Sequence, residues 1–280
     1  MPVINFPAKM DRHLQIRHVQ VQTISWCNRS CEFCPSQKFE IERAWMTLAC
    51  YERILDELRR IDYTGRFSPY LNNESLLDKR LVDLISRARR SLPASMLFIS
   101  TNGDGLRADR VAAMFAAGLD SLTINCYDNR EDRIGRLRNM ADQLCCEIPG
   151  LLRADDATFR QMVTTTGDGS RRKICVRDCT GCRISNMTNI AGNVPEARIP
   201  QQPLKLGCYR PFEQLHVLYN GEVVLCHCDW KGEVVFGNIN DQPLAEIYNG
   251  PIAEQYRERL NNLDRALKLC RRCDFSGTMD

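Results

Sequence analysis

Apolar and polar residues alternate from Arg17 to Ser25 (Val19, Val21, Thr23), which predicts a strand. Thr47 then suits the cap of a helix with Leu48, Tyr51, Leu55 and Leu58 on one face. Phe67–Leu71 reads as a short strand, and Asp78–Leu92 as a helix by the spacing of Leu81, Leu84, Ile85 and Ala88. Met96–Ser100 and Ser121–Asn125 are apolar strands on either side of a helix over Ala108–Ala117. Strand and helix thus alternate about four times. That order predicts an α/β fold, a parallel sheet with helices outside it, open or curled into a partial barrel.

Beyond Asn129 the rhythm weakens. The stretch 164–172 is polar and contains glycine, and Asn193–Pro203 carries Pro195, Pro200 and Pro203, so it reads as a linker. Leu215–Tyr219 and Glu222–Leu225 flank Asn220-Gly221, a strong hairpin signal. A helical segment over Leu244–Leu269 follows. The expected organisation is a barrel-like domain over 1–192, then a linker and a small α+β domain (hairpin plus helix) over 193–280.

Composition narrows the function classes. A chain of 280 residues with 44% apolar content buries a real core, and a net charge of +3 is too mild to indicate a nucleic-acid partner. The arginines over 87–90 fit a solvated helix face. No apolar run approaches a membrane span, and Met1–Arg17 lacks the apolar segment of a signal peptide, so a cytoplasmic protein with no membrane partner is expected. The anomaly is 15 cysteines. An odd number, grouped as Cys27/31/34, Cys175/179/182, Cys208/226/228 and Cys270/273, suits metal better than a set of closed disulfides.

Cys27-Asn-Arg-Ser-Cys31-Glu-Phe-Cys34 has the form C-x3-C-x2-C directly after the first strand. Three thiolates in one loop can grip three irons of a cubane and leave the fourth open for chemistry. Three-thiolate zinc is the alternative, although no histidine lies nearby to complete a tetrahedron. This segment resembles the signature of the radical S-adenosylmethionine (SAM) superfamily, with Phe33 at its aromatic position. Asn72-Asn73-Glu74-Ser75 is similar to the Gly-Gly-Glu-Pro stretch that meets the SAM methionyl amine in relatives, keeping the glutamate and losing both glycines and the proline. Ile99-Ser100-Thr101-Asn102-Gly103 resembles the strand end near the SAM ribose, and Asn125 ends the fourth strand in a comparable place. The resemblance implies Cys27, Cys31 and Cys34 as ligands of a [4Fe–4S] cluster. It implies Phe33, Asn73, Glu74, Ser100, Asn102 and Asn125 around the cofactor.

Near the C-terminus, Cys208 and Cys226 bracket the hairpin and Cys270-Arg-Arg-Cys273 returns from a helix end. Four thiols fit a fully ligated second [4Fe–4S] cluster, with a four-cysteine zinc site as competitor. The region resembles the twitch domain, a shortened SPASM domain, and the layout resembles the 2-deoxy-scyllo-inosamine dehydrogenases of aminocyclitol antibiotic biosynthesis. His227 and Cys228 beside Cys226 are spare ligands or mere neighbours. Cys175, Cys179 and Cys182 repeat the first motif's spacing, as a third metal site, a thiol pair or chance. Asn186–Asn193 is similar to the Asn-Arg-Ala-Gly segment that precedes such domains, with Ile190 in place of the arginine.

The resemblance implies cleavage of SAM to a 5′-deoxyadenosyl radical that takes hydrogen from a small molecule, such as a sugar or cyclitol. A second cluster favours two-electron oxidation, with a flavodoxin- or ferredoxin-type protein as reductant. Alternatives are peptide cross-linking, against which the short stretch before the first strand counts, and rearrangement or epimerisation, for which Cys126 is the candidate hydrogen donor. A non-enzymatic electron carrier or zinc scaffold is the reading from another class.

Overall fold

The structure is a computed structural model that describes residues 16–36, 38–155 and 172–277. The expected polar stretch 164–172 lies outside these residues except at its last position.

Nine strands form one sheet: β1 (His18–Val21), β2 (Arg66–Ser68), β3 (Met96–Thr101), β4 (Ser121–Cys126), β5 (Leu151–Ala154), β6 (Arg172–Asp178), β7 (Gln214–Val217), β8 (Glu222–Val224) and β9 (Val235–Asn238). Their order is β5-β6-β4-β3-β2-β1-β7-β8-β9. All pairings from β5 to β7 are parallel, and β7-β8-β9 is antiparallel. The sheet ends at two edges, as a partial barrel does.

Helices α1 (Leu48–Arg60), α2 (Leu81–Ser91), α3 (Ala108–Ala116) and α4 (Arg133–Glu147) link the parallel strands. The Thr47 hydroxyl accepts from the Cys50 amide at 3.1 Å, so α1 starts where the cap predicts. Its buried Tyr51, Ile54, Leu55 and Leu58 pack with Val19, Val21, Phe67, Ile99, Leu122 and Ile124 in one core. Side chains alternate along a strand, so the intervening Gln20, Ser68, Ser100, Thr123, Asn125 and His216 turn to the opposite face. One face is an oily seat for helices and the other is polar.

Several boundaries differ from expectation, each for a local reason. β2 stops at Ser68 because Pro69 has no N–H for the ladder. β1 stops at Val21, although the Gln22 amide still donates to the Val217 carbonyl at 2.8 Å. The expected helix over Leu244–Leu269 is two helices, α6 (Leu244–Tyr248) and α7 (Pro251–Asn261), because Pro251 cannot continue a helix and starts a new one. Leu263 and Leu269 then take positive φ (59° and 66°), so the chain reaches Cys270 as irregular backbone and a short 3₁₀ turn. α4, β5 and β6 appear where the sequence rhythm fades; α4 buries Ile134, Leu137, Ala141 and Leu144.

The hairpin over Asn220-Gly221 is present, with Gly221 at φ 86°, and a short helix α5 (Arg210–Glu213) leads into it. Its first strand β7 pairs with β1 in parallel, His18 with Gln214 through Val21 with Val217. The C-terminal segment therefore extends the same sheet. No helix among the described residues is long and apolar enough to cross a membrane.

Candidate active site

The first cysteine loop leaves the C-terminal end of β1, where the loops after β2, β3 and β4 also converge. Their residues line a cleft of about 200 Å³. It contains all three thiols of the first motif together with Phe33, Asn73, Glu74, Ser100, Asn102 and Asn125. Every cofactor-contact residue expected from sequence thus faces one space. Tyr70, Tyr127 and Trp230 also line it and were not expected. Trp230 follows the third C-terminal cysteine, and nothing in its sequence context signals this placement.

Glu74 is the keystone of the rim. It is 3% exposed, and its Oε1 accepts from the Thr101 hydroxyl at 2.5 Å and the Leu76 amide at 3.0 Å. Its Oε2 accepts from the Asn102 amide at 2.8 Å. Burial raises its pKa, opposed by these donors. The carboxylate therefore ties the loop after β2 to the end of β3 and keeps one oxygen direction for a ligand. Asn73 turns its oxygen onto the Leu71 amide at 3.0 Å, which leaves its Nδ2 buried and, among the described residues, unpartnered, as is the Nδ2 of Asn72. Unpartnered buried donors in a cleft wall are what a polar ligand would satisfy. Across the floor, Asn125 Nδ2 donates to Ser100 Oγ at 2.8 Å.

A charge cluster anchors the cysteine loop. Arg29, between Cys27 and Cys31, reaches Asp104 through Nε and Nη2, both at 2.6 Å, and Asp128 at 2.8 Å. Arg133 of α4 joins the same two carboxylates at 2.7 and 3.0 Å. The carboxylates raise the Arg29 pKa, chiefly through the Asp104 bond. Asn102 Nδ2 lies 3.9 Å from Cys27 Sγ and donates to Asn28 at 2.9 Å. Burial pushes the Cys34 thiol up to about 12 and raises Cys27 and Cys31, so cluster assembly there releases protons. Three thiols grouped in one loop, beside donors that meet sulfur, fit an iron–sulfur cluster. Among the described residues, no three His, Cys, Asp or Glu side chains converge as ligands of a single metal ion.

Cys208, Cys226, Cys270 and Cys273 line a second, separate pocket, walled by Leu225, Leu260 and Leu269 and by Arg210 and Arg265. Burial pushes Cys273 up to about 11 and raises Cys208 and Cys270. Four thiols in an apolar pocket match the ligand set of a fully coordinated cluster. Cys228 lies beside this group, 1% exposed, with Arg210 Nη1 at 3.4 Å from its sulfur. Asn189 is buried and ties its neighbourhood to the C-terminal return through the Asp274 carboxylate and the Arg272 carbonyl.

Residues 208–274, which hold all four of these thiols, match the model of the SPASM family, an iron–sulfur cluster-binding domain. The whole chain is 24% identical, over 91% of its length and 92% of the relative's, to the S-adenosyl-L-methionine-dependent 2-deoxy-scyllo-inosamine dehydrogenase of Niallia circulans. It superposes on BtrN in complex with AdoMet and 2-DOIA with a TM-score of 0.74, 22% identity and 95% of each chain covered. Native anSMEcpe with bound AdoMet gives 0.56 at 10% identity, over 87% of this chain and 84% of that one. Streptococcus suis SuiB gives 0.56 at 14%, over 87% and 68%. The chain shares the fold of these structures, an α/β partial barrel.

The segment 208–274 also reaches the first cleft, where Trp230 forms part of the wall. The third cysteine group is spread from β6 into the turn that follows it. Cys175 is buried within β6, while Cys179 lies beyond its end with Sγ at 3.8 Å from Asn125 Oδ1, and Cys182 is half-buried in the following turn. Cys126 belongs to the helix-side core and donates to the Asp128 carbonyl at 3.0 Å, away from the cleft lining.

Proposed function

We propose that this chain is a radical SAM dehydrogenase of a small hydroxylated molecule. Cys27, Cys31 and Cys34 would hold a [4Fe–4S] cluster open to SAM, and Cys208, Cys226, Cys270 and Cys273 a second, closed one. The observation that carries the reading is the pair of thiol groups in two separate cavities, one opening on a polar cleft and the other walled by leucines. When bound, the first cluster and SAM supply the 5′-deoxyadenosyl radical that abstracts a substrate hydrogen.

The chain's own residues orient and enclose. Asn72 and Asn73 offer unpartnered N–H donors, and Glu74 offers an oxygen to the methionyl amine. Phe33, Tyr127 and Trp230 give the cleft apolar walls that keep water from a radical. The Phe33 and Tyr127 rings pack at 5.6 Å, and Arg29 clamps the loop beneath them. Similarity to a dehydrogenase over 91% of the chain supports oxidation as the outcome. The second thiol cage provides a place for the electron that such an oxidation releases. A flavodoxin- or ferredoxin-type reductant and a cytoplasmic setting accompany this reading, with the barrel over 1–192 and the linker and auxiliary domain over 193–280.

Anaerobic reconstitution followed by iron and sulfide counting and SAM turnover tests it. The expected result is two clusters and reductive formation of 5′-deoxyadenosine, lost in Cys27→Ala, Cys31→Ala and Cys34→Ala. A protein that takes up zinc stoichiometrically and no iron would end the proposal.

A further inference from the structure

Two buried arginines line the auxiliary cavity, and they differ in what they touch. Arg265 is 2% exposed and uses its nitrogens on the carbonyls of Leu206, Gly207 and Phe275, at 2.9, 2.5 and 2.6 Å. It stitches the C-terminal return to the start of the domain. Arg210 opens α5 only two residues after Cys208 and is 7% exposed. Its Nη1 lies 3.4 Å from Cys228 Sγ, and its guanidinium carbon sits 3.5 Å from the centre of the Phe275 ring. Its Nε is buried with no hydrogen-bond partner among the described residues. The charges acting on it most strongly are the thiols of Cys228, Cys226 and Cys208 and the Tyr209 phenol, and the Asp274 carboxylate acts on it from further off.

A buried guanidinium that makes no ion pair with a carboxylate among the described residues is costly unless something else in the cavity carries negative charge. A cluster bound by four thiolates is such a group. We propose that Arg210 is the residue that sets the auxiliary cluster's reduction potential, a fixed positive charge in the cage wall that favours the reduced state. The inference rests on the assignment of the cage to a [4Fe–4S] cluster.

The flow of electrons gives the charge its purpose. In the proposed oxidation a substrate radical would give up its hydroxyl proton to a base and one electron to an oxidised cluster held by the four thiols, leaving a carbonyl. The cage would thereby gain one negative charge in a poorly screened interior. A cation in the wall of the cavity that the four thiols line would offset that charge, and net charge and donors near the sulfurs are established determinants of cluster potential. The aromatic ring of Phe275 fixes the guanidinium plane, so the charge is pre-positioned.

The test is a redox titration of the reconstituted full chain, followed by electron paramagnetic resonance, comparing wild type with Arg210→Gln and Arg210→Met. The methionine variant fills similar volume without a polar group to bury. Both variants are expected to keep two clusters by iron count while the auxiliary midpoint falls. A tenfold loss in the equilibrium constant for reduction reads as about 59 mV for one electron. Arg210→Lys, which keeps the charge, is expected to recover most of the shift. Arg271→Gln, the loss of an exposed charge next to Cys270, is expected to move the midpoint less because water screens it. An unchanged midpoint in a two-cluster variant overturns the role of Arg210 while leaving the cage intact. Loss of the cluster from both neutral variants overturns it in favour of a purely structural role. A wild-type protein with a single cluster removes the cage assignment itself, and the inference with it.

Discussion

Replacing Glu74 separates two ways in which a buried carboxylate can matter at this rim. A residue that only meets the SAM amine would weaken SAM binding and leave the fold untouched. The structure loads the side chain with more than that. Its oxygens accept from the amides of Leu76 and Asn102 and from the Thr101 hydroxyl, at 3.0, 2.8 and 2.5 Å. Glu74→Ala leaves two backbone N–H groups without their acceptor in a site only 3% exposed. At about 1–3 kcal/mol for each buried donor so stranded, the expected cost is about 2–6 kcal/mol. A chain of this size loses roughly 2–4 °C of melting temperature per kcal/mol, so a fall of about 4–24 °C is expected. Glu74→Gln retains one acceptor oxygen and turns an NH₂ toward one donor, so it should cost about half as much. Anaerobic thermal unfolding by circular dichroism measures the fold, and equilibrium dialysis with SAM measures the site. Both should suffer, in the order alanine worse than glutamine. An alanine variant that melts within a degree or two of wild type would refute the keystone argument, even if its SAM affinity had dropped.

Arg29→Met removes three charge-assisted bonds from the cysteine loop, two of them bidentate to Asp104. Iron release to a chelator from the first cluster should accelerate about tenfold, the equivalent of roughly 1.4 kcal/mol, with the auxiliary cluster unchanged; equal release rates would count against the clamp. Asp229 supplies a pH test. Burial raises its carboxyl to about 6, against the pull of the Glu233 and Val234 amides. A raised carboxyl pKa means that protonation favours the folded state, a contribution present below the unfolded value and lost as pH rises through about 6. Relative to Asp229→Asn, wild type should therefore lose about 1 kcal/mol between pH 5 and 7.5. A pH-independent difference in chemical denaturation would contradict it.

How far the sequence reaches depends on the range of the interactions involved. The strand–helix rhythm from Arg17 to Asn125 is readable because a helix buried on one face, and a strand alternating between two, write their periods directly into the chain. The cysteine groups are readable for a related reason: ligands from one loop must be close in sequence. Helix α4 is hard to read because its four buried positions are interspersed with arginines, asparagine and glycine, and the apolar positions after Leu244 suggest a longer helix than Gly250-Pro251 allows. Other features have no local signature. That β7 lies beside β1 follows from pairing residues almost two hundred positions apart. Trp230 enters the first cleft only because the C-terminal domain extends the same sheet. The linear order of residues is enough to supply the available chemistry, three thiols in one loop and four in the C-terminal segment, and the α/β pattern that carries them. Packing in three dimensions sets the rest, including the ion pairs from Arg29 to Asp104 and Asp128 and the buried Arg210 in the auxiliary cage. Electrostatic partners and cavity walls are contributed by distant segments, and no local pattern says which of them will meet.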